Sequence, residues 1–184
     1  MNGIEGAIYQ MFNHGVSTGA LFILVGLLYD RRHTRLIRDF GGLASTIPVF
    51  STFFMIVTLS SLGLPMLNGF VGEFLIILGA FNRRAAYGAF AAVGVVLSAV
   101  YLLWMYQRVF FGEVTNDQNR KLWDCNGREK LLLVAIVLVI LGMGIYPQPF
   151  LTRMHSSVAN LVERVNPGAS QFASSASAHA DGAR

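Results

Sequence analysis

Charge is what this sequence has least of. Only 13% of its 184 residues are charged, while 54% are hydrophobic and the mean hydropathy is +0.53; a soluble domain carries about 25% charged residues. A chain so poor in charge takes a bilayer rather than water as its solvent. Lysine occurs twice, at Lys121 and Lys130, and neither lies mid-membrane. Cysteine occurs once, at Cys125, which excludes an internal disulfide and any cysteine-based zinc or iron–sulfur site. No phosphate loop, dinucleotide fingerprint, metal box or nucleophile–base set is present, so the chain is expected to hold no cofactor or metal, and any nucleotide chemistry takes place elsewhere. The net charge of +4 is carried in short loops rather than on a patch or stripe, which suits a membrane surface and argues against nucleic acid. Residues 1–7 contain Glu5 and no Lys or Arg, so no secretory signal is expected.

Long apolar runs are what the sequence does have. A spanning helix needs about 20 mostly apolar residues. Four such spans are predicted, at about 8–29, 48–82, 87–111 and 129–146, the last stopping at Pro147–Gln148–Pro149. Residues 151–165 carry Leu151, Met154, Val158, Leu161, Val162 and Val165 near helical spacing, the pattern of a short interfacial helix. The Ala/Ser/Gly-rich stretch 166–184 reads as a disordered tail. The fold class is therefore an all-α membrane protein. Four crossings put the 30–47 and 112–128 loops on one side, with Arg31, Arg32, Arg35, Arg38, Arg120, Lys121 and Arg128. Arg83, Arg84, Arg153, Arg164 and Arg184 fall on the other. The positive-inside rule then directs the first set to the cytoplasm or matrix and both termini outward.

The second span is too long to be one helix. Pro48 to Asn82 would extend roughly 52 Å at 1.5 Å per residue, against a hydrocarbon core of about 30 Å. Gly63, Pro65, Asn68 and Gly69 lie within seven residues and predict a break at 63–69 between half-helices at 48–62 and 70–81. Unwound backbone at membrane depth survives only against protein or a water-filled cavity, and discontinuous helices of this kind line ion sites in transporters. Glu73 falls in the opening turn of the second half-helix. There the helix N-terminus favours the ionised carboxylate and desolvation favours the acid. It is a candidate proton relay, the alternative being a neutral acid that hydrogen-bonds between helices.

Other polar residues inside the spans have similar alternatives. His14 lies two turns into the first span with Asn13, Ser17 and Thr18 nearby. An imidazole passes protons near neutral pH, but His, Ser and Thr also bond helices together in membranes. Thr58, Ser60 and Ser61 lead into the break, where back-bonding to freed carbonyls is favoured over support of a water wire. Gly15 with Gly19 and Gly88 with Ala92 are small-xxx-small pairs. Trp104, Tyr106 and Arg108 read as an interfacial belt, and His33, His155 and His179 as solvated.

The runs GIEGAIYQMFNHGVSTGALFILVG, LYDRRHTR, GGLAS and GLPMLNGFVGEF resemble the antiporter-like subunits of respiratory complex I. The resemblance is to subunit M of proton-translocating NADH–quinone oxidoreductase and its mitochondrial counterpart, subunit 4, over about Gly3 to Phe150. Related subunits tend to have lysine where Glu73 stands. The resemblance implies a fold of fourteen helices built on two inverted five-helix repeats, each with one broken helix. Residues 1–150 would supply the last four helices of that antiporter-like transmembrane domain. It implies that Glu73 exchanges protons with the outer side and that His14 lies on the central polar axis. Implied partners are the other membrane-arm subunits, the preceding ten helices of the same subunit and the lipid bilayer. NADH, FMN, iron–sulfur clusters and quinone are implied in partner subunits, and the bacterial inner membrane or its equivalent as the location. Without those ten helices the chain is expected to be a split product, a fragment or an incomplete gene model. The alternatives are an antiporter-like subunit of a membrane hydrogenase, a cation/proton antiporter, a membrane scaffold whose polar seam serves assembly, and a non-functional truncated fragment.

Overall fold

The computed structural model describes residues 2–165. The expected disordered tail, His179 and Arg184 lie outside them. The described residues form helices and no strand. The long helices are α1 (Asn2–Arg32), α3 (Pro48–Ser61), α4 (Asn68–Arg83), α5 (Ala85–Phe110), α7 (Gly127–Ile145) and α8 (Gln148–Val165). Between them lie two single-turn helices, α2 (Leu43–Thr46) and α6 (Asp117–Arg120), and a 3-10 turn at Ile37–Asp39. α1 and α5 are each long and apolar enough to cross a membrane. The α3–α4 pair makes one interrupted crossing, and α7 supplies the fourth after a first turn that carries Arg128, Glu129 and Lys130. This is an integral membrane protein fold with about four crossings, the second discontinuous.

α1 is the centre of the bundle and packs against α3, α4, α7 and α8. It runs six residues further toward the N-terminus than the apolar run suggests, because small residues let α4 approach it there. A Cβ on Gly6 would lie 2.6 Å from that of Leu75, and one on Gly79 would lie 2.5 Å from the Gly3 Cα. Such close backbone approach is how helices associate where lipid removes any hydrophobic drive. Gly15 and Gly19, by contrast, have open space where a Cβ would stand, whereas Gly88 packs tightly on Phe81.

The loop end of the bundle holds the core. Phe54 and Phe110 rings are 4.8 Å apart and Tyr106 stacks on Phe110 at 4.4 Å. Tyr106 is buried, and its hydroxyl donates to the Ser51 carbonyl at 3.0 Å. It is therefore a core residue tying α5 to α3 and not part of an interfacial belt, since its ring sits on the α3-facing side of α5. Trp104, on the outer side, stays exposed with the Arg108 guanidinium 4.8 Å over its ring. The outer faces of α5 and α7 present apolar side chains, Phe90 at 79% and Leu131 at 73% exposure.

The 30–47 and 112–128 loops meet at one end, as four crossings require. Arg31 pairs with Glu129 at 2.7 Å and donates to the Trp123 carbonyl, and Arg32 donates to Asn119 and Gln118. Asp124 reaches across to cap α3, accepting from the Val49 and Phe50 amides at 2.8 and 2.9 Å. The N-cap position of α3 is Ile47, which has no side-chain oxygen to offer; the distant carboxylate supplies the missing acceptor. At the other end α8 folds back from α7 at a bend of 62° and begins three residues before the expected 151. His155 lies on this helix and bonds Glu5 of α1 at 2.7 Å, so it is partly solvated but not free.

Candidate functional site

The site is built around the interruption between α3 and α4. α3 ends because Gly63 turns into the left-handed region (φ +69°) and Pro65 follows, while the Leu62 and Leu64 amides close back on the Thr58 and Leu59 carbonyls. Met66 also adopts a positive φ, +75°, an unfavourable conformation for a side chain with a Cβ. The link is backed by α7: a Cβ on Gly144 would collide with the backbone of Met66 and Leu67. α4 starts at Asn68, so Asn68 and Gly69 open the second half-helix instead of lying in the link, and Glu73 falls in its second turn rather than its first.

Asn68 is fully buried and joins three helices. Its Oδ1 accepts from the hydroxyls of Ser17 in α1 and Ser60 in α3, and its Nδ2 donates to the Asn13 carbonyl at 3.3 Å. The two hydroxyls also lie 3.0 Å apart, so two protons serve three close contacts. Ser61 back-bonds to the Val57 carbonyl at 3.1 Å. Thr58 is fully buried and its hydroxyl has no partner. It does not reach the Asn68 cluster or the cavity described next.

The Glu73 carboxylate sits against the break. Its Oε2 packs on Gly63, where any Cβ would strike it, and its Oε1 accepts from Gln10 Nε2 at 3.3 Å. Gln10 Oε1 in turn accepts from Asn13 Nδ2 at 3.2 Å, while the buried Asn13 Oδ1 has no partner. Gln10, Asn13, His14, Ser17, Thr18, Ser60, Ser61, Gly69 and Glu73 line one polar cavity of about 210 Å³, walled on its far side by Tyr101 and Leu102 of α5. A site of this size and polarity has room for several waters.

His14 stands at the exposed lip of the cavity, its Nδ1 3.1 Å from the Thr18 hydroxyl. Ser17 faces inward to Asn68 instead. Three residues turn a helix by 300° and four by 400°, so Ser17 and Thr18 diverge to opposite sides of His14. The structure thus brings Glu73, His14, Asn13, Ser17, Thr18 and Ser61 to one cavity and leaves Thr58 outside it. Gln10 and Tyr101 escaped the sequence reading. Gln10 had a signal: with Asn13 and Ser17 it forms an i, i+3, i+7 polar stripe on α1. Tyr101 had none, because only packing brings α5 alongside.

Cys125 is buried, and desolvation followed by the nearby Asp124 and Glu129 carboxylates pushes its thiol up to about 11, which keeps it un-ionised and unreactive. No group of three or more His, Cys, Asp or Glu side chains suited to a metal ion occurs among the described residues.

A sequence profile for "NADH:quinone oxidoreductase/Mrp antiporter, TM" matches residues 1–100, which include α1, the break and the whole polar cavity except Tyr101 and Leu102. The chain belongs to this family. As a member it is 46% identical over 163 residues to the NADH-ubiquinone oxidoreductase chain 4 of Marchantia polymorpha, covering 89% of this chain and 33% of that protein. It is 44% identical over 161 residues to the NADH-quinone oxidoreductase subunit M of Rhodobacter capsulatus, covering 88% and 31%. Among solved structures it superposes on a chain of respiratory complex I from Thermus thermophilus with bound NADH, with a TM-score of 0.74 and 37% identity over 79% of this chain and 30% of that one. The chain spans about a third of the length of the relatives it matches.

Proposed function

We propose that this chain is the C-terminal part of a proton-translocating membrane subunit of NADH–quinone oxidoreductase. In this reading Glu73 and His14 exchange protons through the cavity between α1, α3, α4 and α5. The observation that carries the reading is the placement of the Glu73 carboxylate: it lies against the unwound link of a broken helix and opens onto a polar cavity with His14 at its lip. An acid held at membrane depth is costly, and such residues mark ion and proton paths. Here one oxygen has an amide donor and the other touches Gly63 at the break, so the group is held beside the cavity through which it takes up and releases a proton. Asn13, Ser17, Thr18 and Ser61 would support water in the cavity, and the Asn68 cluster would hold the two half-helices in register.

The relatives are named as oxidoreductase subunits, so the driving reaction belongs to partners: subunits that hold NADH, FMN, iron–sulfur clusters and quinone. Other membrane-arm subunits and about ten further helices of the same subunit would complete the proton path. Both termini face outward, α8 lies at the interface, and residues 1–150 form the antiporter-like segment. The family description also covers Mrp antiporters; co-purification decides between the two. Flavin and iron–sulfur subunits that oxidise NADH are expected with a tagged chain, and antiporter subunits alone would replace the enzyme while leaving the proton path.

The test of the relay is Glu73→Gln in the assembled enzyme. Proton uptake per NADH oxidised is expected to fall while assembly is kept. Full pumping would end the relay role. Loss of assembly in step with pumping would make the seam a scaffold.

A further inference from the structure

Glu73 is held by a residue that the proposed relay does not yet use. Gln10 lies one helix away on α1, with its stem packed so closely on Gly72 that a Cβ there would meet the Gln10 Cβ at 2.9 Å. The polarity of its carboxamide follows from Glu73, since an ionised carboxylate only accepts. Asn13 Nδ2 donates to Gln10 Oε1 at 3.2 Å, which leaves the Gln10 NH2 to face Glu73 Oε1 at 3.3 Å. The sequence of donors therefore runs Asn13 to Gln10 to Glu73 in one direction. Gln10 donates to Glu73 Oε1 and does not accept from it, so its hydrogen bond is strongest, because charge-assisted, while Glu73 is ionised. Gly63 confines the other oxygen from the opposite side.

We propose that Gln10 is the positioning residue for Glu73: its amide fixes the carboxylate on the α1 side of the cavity, between the break and the polar stripe, in the orientation from which a proton is exchanged. This rests on the reading of Glu73 as a relay. Gln10 itself carries no proton. The titratable groups that line the same cavity are Glu73 on α4, His14 on α1 and Tyr101 on α5; α3 contributes only the hydroxyls of Ser60 and Ser61.

Two substitutions separate positioning from packing. Gln10→Met keeps the length and the contact with Gly72 and removes the donor. Gln10→Glu keeps the shape and makes the donor conditional. In acid, two facing carboxyls share a proton and the bridge to Glu73 is restored; in alkali, two like charges repel. The measurement is proton uptake per NADH oxidised, across a range of pH, in inverted vesicles containing the assembled enzyme, with uncoupled NADH oxidation as the reference. Gln10→Met is expected to assemble and to lose pumping about tenfold or more at every pH, the scale of one hydrogen bond to a charged group. Gln10→Glu is expected to pump near the unsubstituted level at acid pH and to fail at alkaline pH. Full pumping by Gln10→Met, or a Gln10→Glu profile that follows the unsubstituted enzyme, overturns the proposal. Glu73→Gln is run alongside: if it pumps fully the relay reading itself has failed, and if it is impaired while Gln10→Met is not, only the positioning role has.

Discussion

The Glu73 carboxylate and Gly63 are in van der Waals contact across the helix break, and no side chain fits between them. Gly63 also has φ +69°. The residue that ends the first half-helix is therefore the one that confines the acid of the second. Gly63→Ala faces both constraints: about 1–2 kcal/mol for the left-handed conformation and displacement of the carboxylate. Proton pumping is expected to fall although Glu73 is intact. Gly15→Ala, placed where a Cβ meets open space, is the control and is expected to pump normally. Vesicle pumping assays on both variants check this.

Thr58 offers a test of what the buried seam contains. Its hydroxyl is enclosed and unpartnered, and an unsatisfied buried polar group costs about 1–3 kcal/mol. Thr58→Val keeps the volume, so a thermal melt in detergent is expected to show equal or greater stability with pumping unchanged. A loss of stability would mean that a water bonds the hydroxyl. Lost pumping at unchanged stability would return Thr58 to the proton path.

Asp124 gives a prediction with a defined pH dependence. Burial pushes its carboxyl up, but the backbone amides of Cys125, Val49 and Phe50 and the charge of Lys130 outweigh that and hold it below the usual carboxylate range. A group with a depressed folded pKa adds stability above its unfolded value, here 3.8, and loses it as the pH falls through the folded value. Asp124→Asn is expected to lower stability by about 1 kcal/mol at neutral pH, the cost of a weakened helix cap. The gap from the unsubstituted protein should close below the ordinary carboxylate range. Melts at neutral and acid pH measure it; a gap independent of pH would show that shape, not charge, sets the cap.

Among the described residues Arg31 and Glu129 form the most enclosed ion pair, with side chains 3% and 16% exposed. Glu129 also closes a capping box with Asn126 at the start of α7. Removing one partner of a buried pair costs about 3–5 kcal/mol. Arg31→Ala is therefore expected to destabilise strongly, and Arg31→Ala with Glu129→Gln, which removes the stranded charge and keeps the capping box, to recover part of the loss. Denaturation of the two variants in the same detergent is the check; equal losses would show that the guanidinium acts through its bonds to the Leu27 and Trp123 carbonyls instead.

Much of the site is legible in the residues themselves. Apolar run length and the Gly63–Pro65 punctuation locate the interruption, because glycine and proline act on their own backbone and need no partner. The helix ends were less legible. α4 begins at Asn68 because that side chain is spent on Ser17, Ser60 and the Asn13 carbonyl, three contacts that no local pattern encodes. Tyr106 departs from the expected belt for a similar reason: an aromatic near the end of a span suits a belt or a core equally, and the position of α3 decides.

The division follows the range of the forces. The membrane class, the helical fold, the broken second crossing and the acid beside it are readable from the residues alone, since these follow from hydropathy and from backbone preferences of single residues. Helix packing is what makes Gln10 face Glu73, sets His14 at the lip while Ser17 turns inward, and brings Asp124 to cap a helix 75 residues away. Those relations depend on the angle and depth at which α1, α3 and α4 pack, and the glycines that set this depth act only when two helices meet.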